Sequence, residues 1–165
     1  MTPADDTHGR GVSSLLRPGS KRDLPALLHI EKTCFVGDYV RHRFHTSDFA
    51  GYLRKPSSVF RIAVLAGEPV GYVAGTVRRV RGKDRVRLDS IAVLPRWRRQ
   101  GIGQMLLDWF LDEAERRKGR QVTLEVLESN KLGRRWFTQT GFQETRRLRN
   151  YYGTGVDGIE MTRRS

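Results

Sequence analysis

The spacing of hydrophobic side chains changes period near Gly101. Residues 88–94 are mostly apolar and rich in short or branched side chains, which is typical of a buried strand. Pro95 ends that strand because proline cannot donate to a strand ladder. From Gly101 the apolar side chains recur at helical spacing, and Gly119 is the expected end of the helix. The apolar face of that helix consists of Ile102, Met105, Leu106, Trp109, Phe110 and Ala114. The pattern predicts a strand that leads through a short loop into a helix.

The same reasoning predicts elements along the rest of the chain. In order they are a strand at 12–17, a helix that begins after Ser20 or Asp23, an irregular aromatic loop at 35–45, a helix at 46–55, strands at 58–66 and 69–80, a strand at 121–127, a short helix after Asn130, and closing strands at about 142–150 and 158–163. Residues 1–11 show no periodicity, so we expect a flexible tail there and a single domain over 12–165. The elements predict a mixed α/β sheet with helices on both faces.

Composition adds a strong and uneven positive charge. The 31 Lys and Arg against 18 Asp and Glu give a formal net charge of +13. Residues 1–77 hold 10 basic and 7 acidic side chains, whereas residues 78–165 hold 21 and 11. The second half would attract a polyphosphate cofactor, an acidic substrate or RNA, although many of its arginines could serve solubility alone.

Cysteine and histidine usage narrows the chemistry. A lone Cys34 cannot form an internal disulfide, so the reducing cytoplasm is the expected location. The four histidines all lie within the first 45 residues, and no Cys/His cluster has metal-ligand spacing. No apolar run is long enough to span a bilayer. We therefore expect neither a metal nor a membrane.

The loop between the strand and the helix has the composition of an anion site. The first turn of a helix offers free N–H donors and the positive end of the helix dipole. Gly101 and Gly103 would let a diphosphate approach the backbone, and Arg96, Arg98 and Arg99 add fixed positive charge. The alternative is a solvated turn in which the glycines only aid packing. A dinucleotide fingerprint is excluded, because its last glycine is missing and too few residues follow for a doubly wound sheet.

These residues carry a family resemblance. The run Arg98-Arg99-Gln100-Gly101-Ile102-Gly103 resembles the R-x-x-G-x-G acyl-CoA signature of the GNAT acetyltransferase superfamily. The segments that continue the likeness are 90–95, 124–126, 129–130, 141–142 and 149–152, and they are similar to the RimI-type ribosomal-protein N-terminal acetyltransferases. The resemblance covers residues 85–152 well and the N-terminal half only in outline. It implies a GNAT-like, mostly antiparallel sheet and acetyl-CoA as co-substrate, with no metal.

The resemblance also implies roles for individual residues. Glu125 would be the general base, and the backbone N–H of Val93 would face the developing oxyanion. The cofactor would be held by Ile91, Ala92, Val93, Arg98, Arg99, Gln100, Gly101, Ile102, Gly103, Gln104, Asn130 and Phe137. The acceptor would be bound by Arg149, Asn150, Tyr151 and Tyr152 and by the loop at 35–45. Two simpler interpretations remain open: Glu125 could be paired with an arginine, and Asn130 could be a helix cap.

One position departs from the family pattern. The family's general acid is a tyrosine, and the matching residue here is Phe137, which has no proton to give. The thiol of coenzyme A resembles that of cysteine, whose pKa is about 8.5, so its thiolate is a tolerable leaving group at neutral pH. Water could protonate it, or Tyr151 or Tyr152 could do so.

Two classes of function remain after this reasoning. The first is an N-acetyltransferase that acts directly on a peptide or protein N-terminus, a lysine or a small amine. The second is a basic binding module for RNA or the ribosome that has kept the fold with weak or no catalysis. The intact signature and Glu125 favour the enzyme. An acidic or ribosomal partner fits the basic half, and both a monomer and a homodimer are open.

Overall fold

The computed structural model describes residues 15–164 of the 165-residue chain. The predicted tail at 1–11 and the first part of the predicted strand at 12–17 lie outside the described residues. The elements are β1 Leu16–Arg17, α1 Leu24–Cys34, α2 Thr46–Arg54, β2 Ser58–Leu65, β3 Glu68–Val80, β4 Lys83–Val93, α3 Ile102–Arg116, β5 Gln121–Leu127, α4 Lys131–Gln139, β6 Gln143–Gly153 and β7 Val156–Arg164. Short 3-10 turns precede α1, join α1 to α2 at Gly37–His42, and follow β4.

The strands form one seven-stranded sheet in the order β1-β2-β3-β4-β5-β7-β6. Every described pair is antiparallel except β4 with β5. That parallel pair is short, because only Val86 with Val122 and Arg87 with Thr123 are in register. Beyond this point β4 runs on to Val93 and β5 to Leu127 without pairing to each other. The two central strands β4 and β5 therefore diverge after this short pairing and leave a gap between their C-terminal ends.

Helices cover both faces of the sheet, and each face has its own apolar core. α3 and α4 pack on one face, where Leu106, Phe110 and Phe137 join the inward side chains of β3, β4 and β5. α1 and α2 pack on the other face, where Leu27 and Phe49 contact the side chains of β2 and β3. These two layers confirm the predicted mixed, mostly antiparallel sheet with helices on both faces.

Two glycines in β3 let neighbouring groups approach closely. A side chain at Gly71 would meet the carbonyl oxygen of Ala92 at 2.7 Å, and one at Gly75 would collide with the Arg87 carbonyl and the Phe110 ring. The register between β3 and β4 shifts at Gly75, which makes a β-bulge opposite residues 88–90. The bulge and the close backbone contacts explain why β3 contains glycine at these two positions.

The sequence prediction underestimates the length of both strands of the C-terminal hairpin. The predicted closing strands at 142–150 and 158–163 are in fact Gln143–Gly153 and Val156–Arg164. A tight turn joins them because Gly153 and Gly155 both adopt positive φ, which removes most of the expected loop. The strand at 88–94 is likewise the end of a longer strand that begins at Lys83. The irregular loop at 35–45 contains the 3-10 turn Gly37–His42.

Candidate active site

A cleft of about 980 Å³ opens where β4 and β5 separate. Its walls come from the segment between α1 and α2, the end of β4, the loop before α3, the end of β5 and the start of α4. Ten of the twelve predicted cofactor-binding residues line it: Ile91, Ala92, Val93, Arg98, Arg99, Gly101, Gly103, Gln104, Asn130 and Phe137. The other two do not. Gln100 lies outside the lining, and the side chain of Ile102 is buried in the core.

The N-terminus of α3 forms a cradle that suits a phosphate group. Gly101 is the N-cap residue with φ +80°, and no side chain caps the helix. The first backbone bond into the helix is from Met105 N–H to the Gly101 carbonyl, so the preceding amides of the first turn remain as donors. A Cβ built on Gly101 meets no heavy atom within 4 Å, so the space beside the turn is open. The backbone here fits the diphosphate of coenzyme A.

The arginines before the helix differ in their attachment. Arg98 donates from Nε to the Val93 carbonyl at 2.9 Å, which ties its side chain to the end of β4. Arg99 is exposed on the cleft side and has positive φ. The amide of Gln104 is turned away and donates to Asp108 at 2.8 Å, so Gln104 would contribute only its backbone N–H.

The edge of β4 that faces the cleft has no strand neighbour. Ile91, Ala92 and Val93 pair with β3 on one side, while β5 has already diverged on the other. The Val93 carbonyl accepts bonds from Arg98 and from the Cys34 thiol at 3.4 Å. Burial raises the pKa of that thiol. An unpaired strand edge can bind an extended chain by backbone hydrogen bonds, which is what the predicted pairing with the pantetheine arm requires.

Glu125 lies in the cleft and is held by Arg87. Its side chain is 15% exposed, and its Oε2 accepts from the Arg87 guanidinium at 2.9 Å. Arg87 also contacts Asp89 at 3.5 Å and donates to the Tyr151 hydroxyl at 3.0 Å. Glu125 therefore lines the cleft, as a base must, and is also paired with an arginine, as the simpler interpretation expects. Oε1 remains for a proton or a water molecule.

One wall of the cleft is polar and aromatic and contains Tyr39, Asn130 and Tyr152. The Tyr39 hydroxyl accepts from Leu127 N–H and from Asn130 Nδ2, both at 3.1 Å. Asn130 also caps α4, because its Oδ1 accepts from Gly133 N–H at 3.0 Å. The Tyr39 ring packs edge-on against Tyr152, whose ring also meets His42. The cap predicted at Asn130 is confirmed.

The predicted acceptor residues of the last hairpin separate into two groups. Tyr152 is buried and lines the cleft, and burial raises the pKa of its phenol. Tyr151, Arg149 and Asn150 do not line it. Tyr151 faces Arg87, and burial raises its pKa as well. Asn150 holds the hairpin, because its N–H donates to Asp157 at 2.8 Å and its side chain accepts from Gly155 N–H at 2.7 Å.

Phe137 forms part of the boundary between the core and the cleft. It is 7% exposed, packs edge-on against Phe142 at 5.6 Å between ring centroids, and also lines the cleft. The ring is therefore supported by core side chains on one side and reaches the cleft on the other. Its predicted approach to the sulfur of acetyl-CoA stays a prediction.

Sequence reasoning missed a buried network at the cleft floor. Glu31 accepts from the Phe44 N–H at 2.8 Å and from the Tyr72 hydroxyl, which also bonds Ser90 at 2.8 Å. Burial raises the pKa of Glu31. The sequence did contain a sign of this network, because Glu31 follows the apolar residues of α1 at a position that the helix buries. Between residues 15 and 164, no group of three His, Cys, Asp or Glu side chains could hold a metal ion, and no helix is both long and apolar enough to cross a membrane.

Comparison with known proteins identifies the family. The profile described as the acetyltransferase (GNAT) family matches residues 24–142. The [ribosomal protein bS18]-alanine N-acetyltransferase of Escherichia coli is 33% identical over 138 residues, which are 84% of this chain and 86% of that protein. The crystal structure of the ribosomal-protein-S18-alanine N-acetyltransferase from Escherichia coli superimposes with a TM-score of 0.74 at 28% identity, covering 90% of this chain and 92% of that one.

A second relative gives the same result. The N-alpha-acetyltransferase of Sulfurisphaera tokodaii is 31% identical over 163 residues, which are 92% of this chain and 93% of that protein. The profile match spans most of the chain and includes α1 to α4, the cradle and Glu125. The chain therefore belongs to the acetyltransferase (GNAT) family and is an acetyl-CoA-dependent N-acetyltransferase.

Proposed function

We propose that the protein acetylates the α-amine at the N-terminus of a peptide or protein, and that it does so in the cytoplasm. The observation that carries the proposal is that, among residues 15–164, the inner cleft offers a single carboxylate oxygen as a base. Glu31 and Asp89 have both oxygens bonded, and Asp38 is exposed on the turn between α1 and α2. Oε1 of Glu125 is thus the carboxylate oxygen of the inner cleft that is left to accept a proton.

One modest base suits an α-amine better than a lysine. A peptide α-amine has a pKa of about 7.7–8.0, so part of it is already neutral at physiological pH. A lysine side chain has a pKa of about 10.4, so it depends far more on a base to remove its proton. The names of the two relatives above agree, since one acts on an alanine and the other is an N-alpha-acetyltransferase. The basic half of the chain keeps an acidic or ribosomal partner open.

In the proposed reaction, different residues of the cleft bind acetyl-CoA, accept the amine proton and stabilise the oxyanion. The cradle at Gly101 and Arg99 would hold the diphosphate, and the free edge of β4 would align the pantetheine arm. The amine nitrogen attacks the thioester carbonyl, and Glu125 Oε1 takes the amine proton directly or through water. The Val93 N–H would stabilise the oxyanion. Collapse of the tetrahedral intermediate breaks the C–S bond, and the thiolate that leaves must receive a proton.

The experiment compares two peptides of the same sequence that contain one lysine. In the first the α-amine is free and the lysine is acetylated; in the second the α-amine is formylated and the lysine is free. Each is incubated with the protein and acetyl-CoA and analysed by tandem mass spectrometry. We expect one added acetyl group on the α-amine of the first peptide. Acetylation of the second peptide at an equal or higher rate would contradict the proposal.

A further inference from the structure

The leaving thiolate needs an acid that the predicted candidates do not supply. Phe137 has no exchangeable proton, and Tyr151 lies outside the cleft and faces Arg87. Tyr152 lines the cleft, but burial raises the pKa of its phenol, and no described group donates to its hydroxyl to stabilise the phenolate. A group that gives up a proton easily must therefore be sought elsewhere in the cleft.

Several other titratable or hydroxyl groups that line the cleft already take part in hydrogen bonds. The Cys34 thiol donates to the Val93 carbonyl, and burial raises its pKa. His42 Nε2 lies 3.0 Å from the Tyr152 carbonyl, which can only accept, so that nitrogen carries the proton and donates it there. The Ser90 hydroxyl bonds to Tyr72. Glu125 is the base of the proposed reaction.

The orientation of the Tyr39 hydroxyl follows from its two neighbours. The backbone N–H of Leu127 can only donate. The amide of Asn130 is fixed because its oxygen accepts from Gly133, so its Nδ2 must be the atom that donates to Tyr39. The Tyr39 oxygen therefore uses its lone pairs on these two bonds. Its own proton has no acceptor among residues 15–164.

We propose that Tyr39 is the catalytic acid that protonates the leaving thiolate, an inference that rests on the proposed acetyl transfer. The two hydrogen bonds fix the position of the Tyr39 oxygen in the wall of the cleft, and the hydroxyl proton is left available for donation into the cleft. When the C–S bond breaks, its electron pair stays on sulfur, the Tyr39 O–H proton moves to that sulfur, and solvent later reprotonates Tyr39. Asn130, the N-cap residue of α4, and Phe137 within α4 both line the cleft, so Tyr39 borders the same cleft that a hydroxyl at position 137 would face.

The experiment measures release of free thiol from acetyl-CoA, so it reads the same step whether a peptide α-amine, a lysine or water accepts the acetyl group. A failure of peptide acetylation alone would thus contradict the proposed function and still test Tyr39. Tyr39→Phe keeps the ring contacts and removes the hydroxyl. Thr145→Val is the control, because it removes an exposed hydroxyl of β6 that does not line the cleft.

For Tyr39→Phe we expect kcat to fall by about 10- to 100-fold, since water replaces a positioned acid, with a smaller change in KM. The wild-type rate should fall at alkaline pH as the phenol ionises, and this decline should be absent from the variant. Thr145→Val should keep both the rate and the decline. Adding Phe137→Tyr to the Tyr39→Phe variant should restore part of the lost rate.

Two results would overturn the proposal. One is an unchanged kcat in Tyr39→Phe. The other is a lowered kcat with the alkaline decline intact, which would show that the hydroxyl only holds Leu127 and Asn130 in place. If Tyr39→Phe does not fold, 3-fluorotyrosine at position 39 replaces it, because the fluorinated phenol keeps the oxygen and ionises at lower pH. The alkaline decline must then move to lower pH, and an unmoved decline would overturn the proposal.

Discussion

At the scale of single residues, the chemistry of the cleft depends on how charged groups are held. Glu125 is an acid–base candidate that Arg87 fixes from one side, at 2.9 Å. Sequence alone left a choice between a base and an ion pair, because the partner on β4 is 38 residues away along the chain. The short β4–β5 pairing places Arg87 beside Thr123, and this brings the guanidinium to Glu125. The ion pair orients the base and does not replace it.

Replacing Glu125 with Gln tests its role as the base. The amide keeps the size of the side chain but cannot take a proton, so acetyl-CoA affinity should be unchanged while turnover falls by about 10²- to 10⁴-fold. The loss should be largest at low pH, where neutral amine is scarce. Glu128→Gln is the control, because Glu128 pairs with Arg147 on the surface. Steady-state kinetics across neutral pH check this, and undiminished turnover of Glu125→Gln would make the residue structural.

Glu31 links stability to pH. Burial raises its pKa, so the folded state favours the neutral carboxyl more than the unfolded chain does. The stability that the neutral form contributes is complete below the unfolded pKa and is lost as the pH rises through the folded pKa. Asp89 has a raised pKa for the same reason and acts in the same direction, whereas the lowered pKa of Asp23, bonded to Arg17, acts in the opposite one.

Glu31→Gln should remove this part of the pH dependence. Glutamine stays neutral at all pH, and its oxygen can still accept from the Phe44 N–H. Urea unfolding at several pH values should show that the stability of the variant, relative to wild type, increases from acid to neutral pH. Because Asp89 and Asp23 are present in both proteins, their effects cancel. A difference that stays constant with pH would contradict the assigned cause.

At the scale of elements, regular patterns were predictable and special backbone positions were not. The strand at 121–127 matches β5 residue for residue, because Val122, Leu124 and Val126 alternate cleanly with polar positions. The lengths of the two strands in the last hairpin were predicted too short. Their turn depends on positive φ at Gly153 and Gly155, which the spacing of hydrophobic residues does not indicate. The 3-10 turn at Gly37–His42 has too few apolar residues to show a period.

Gly75 is the element-scale position where a small change should matter most. A methyl group there would meet the Arg87 carbonyl and the Phe110 ring, so Gly75→Ala should cost about 1–3 kcal/mol of unfolding free energy through overpacking. Gly51→Ala is the matched control in α2, where the new methyl group meets only Lys55 at 4.0 Å. Because alanine favours the helix, this variant should gain about 0.5–1 kcal/mol of unfolding free energy. Urea unfolding of both variants checks this, and equal stabilities would contradict the close packing.

At the scale of the whole molecule, the sequence located the cofactor side of the site better than the acceptor side. The cradle is local, because strand, loop and helix are consecutive between Lys83 and Arg116. The acceptor wall is not local. Tyr39 meets Leu127 and Asn130 across 88 and 91 residues, contacts that only the assembled sheet creates. For the same reason, Arg149 and Asn150 could be assigned to the acceptor from a motif although neither lines the cleft.

The net charge of the molecule should act on acetyl-CoA through its phosphates. The net charge of +13, together with the cleft-lining Arg98 and Arg99, attracts the diphosphate. Salt screens this attraction. Raising sodium chloride from about 50 to 200 mM, which shortens the Debye length from roughly 14 to 7 Å, should weaken acetyl-CoA binding several-fold. S-acetylpantetheine, which lacks phosphates, is the control and should be insensitive. Equal salt dependence of both ligands would contradict this role of the charge.

The central claim is that the cleft between β4 and β5 binds acetyl-CoA through the cradle at the start of α3. The most direct test is calorimetric titration of acetyl-CoA into wild type, Gly101→Val and Gly67→Val. The two glycines are matched, with φ of +80° and +78° and no heavy atom within 4 Å of an added Cβ, but Gly67 lies in the β2–β3 turn. Both variants should therefore lose similar stability, and only Gly101→Val should lose binding, because its side chain blocks the approach of the diphosphate. Equal affinity of Gly101→Val and Gly67→Val for acetyl-CoA would contradict the claim.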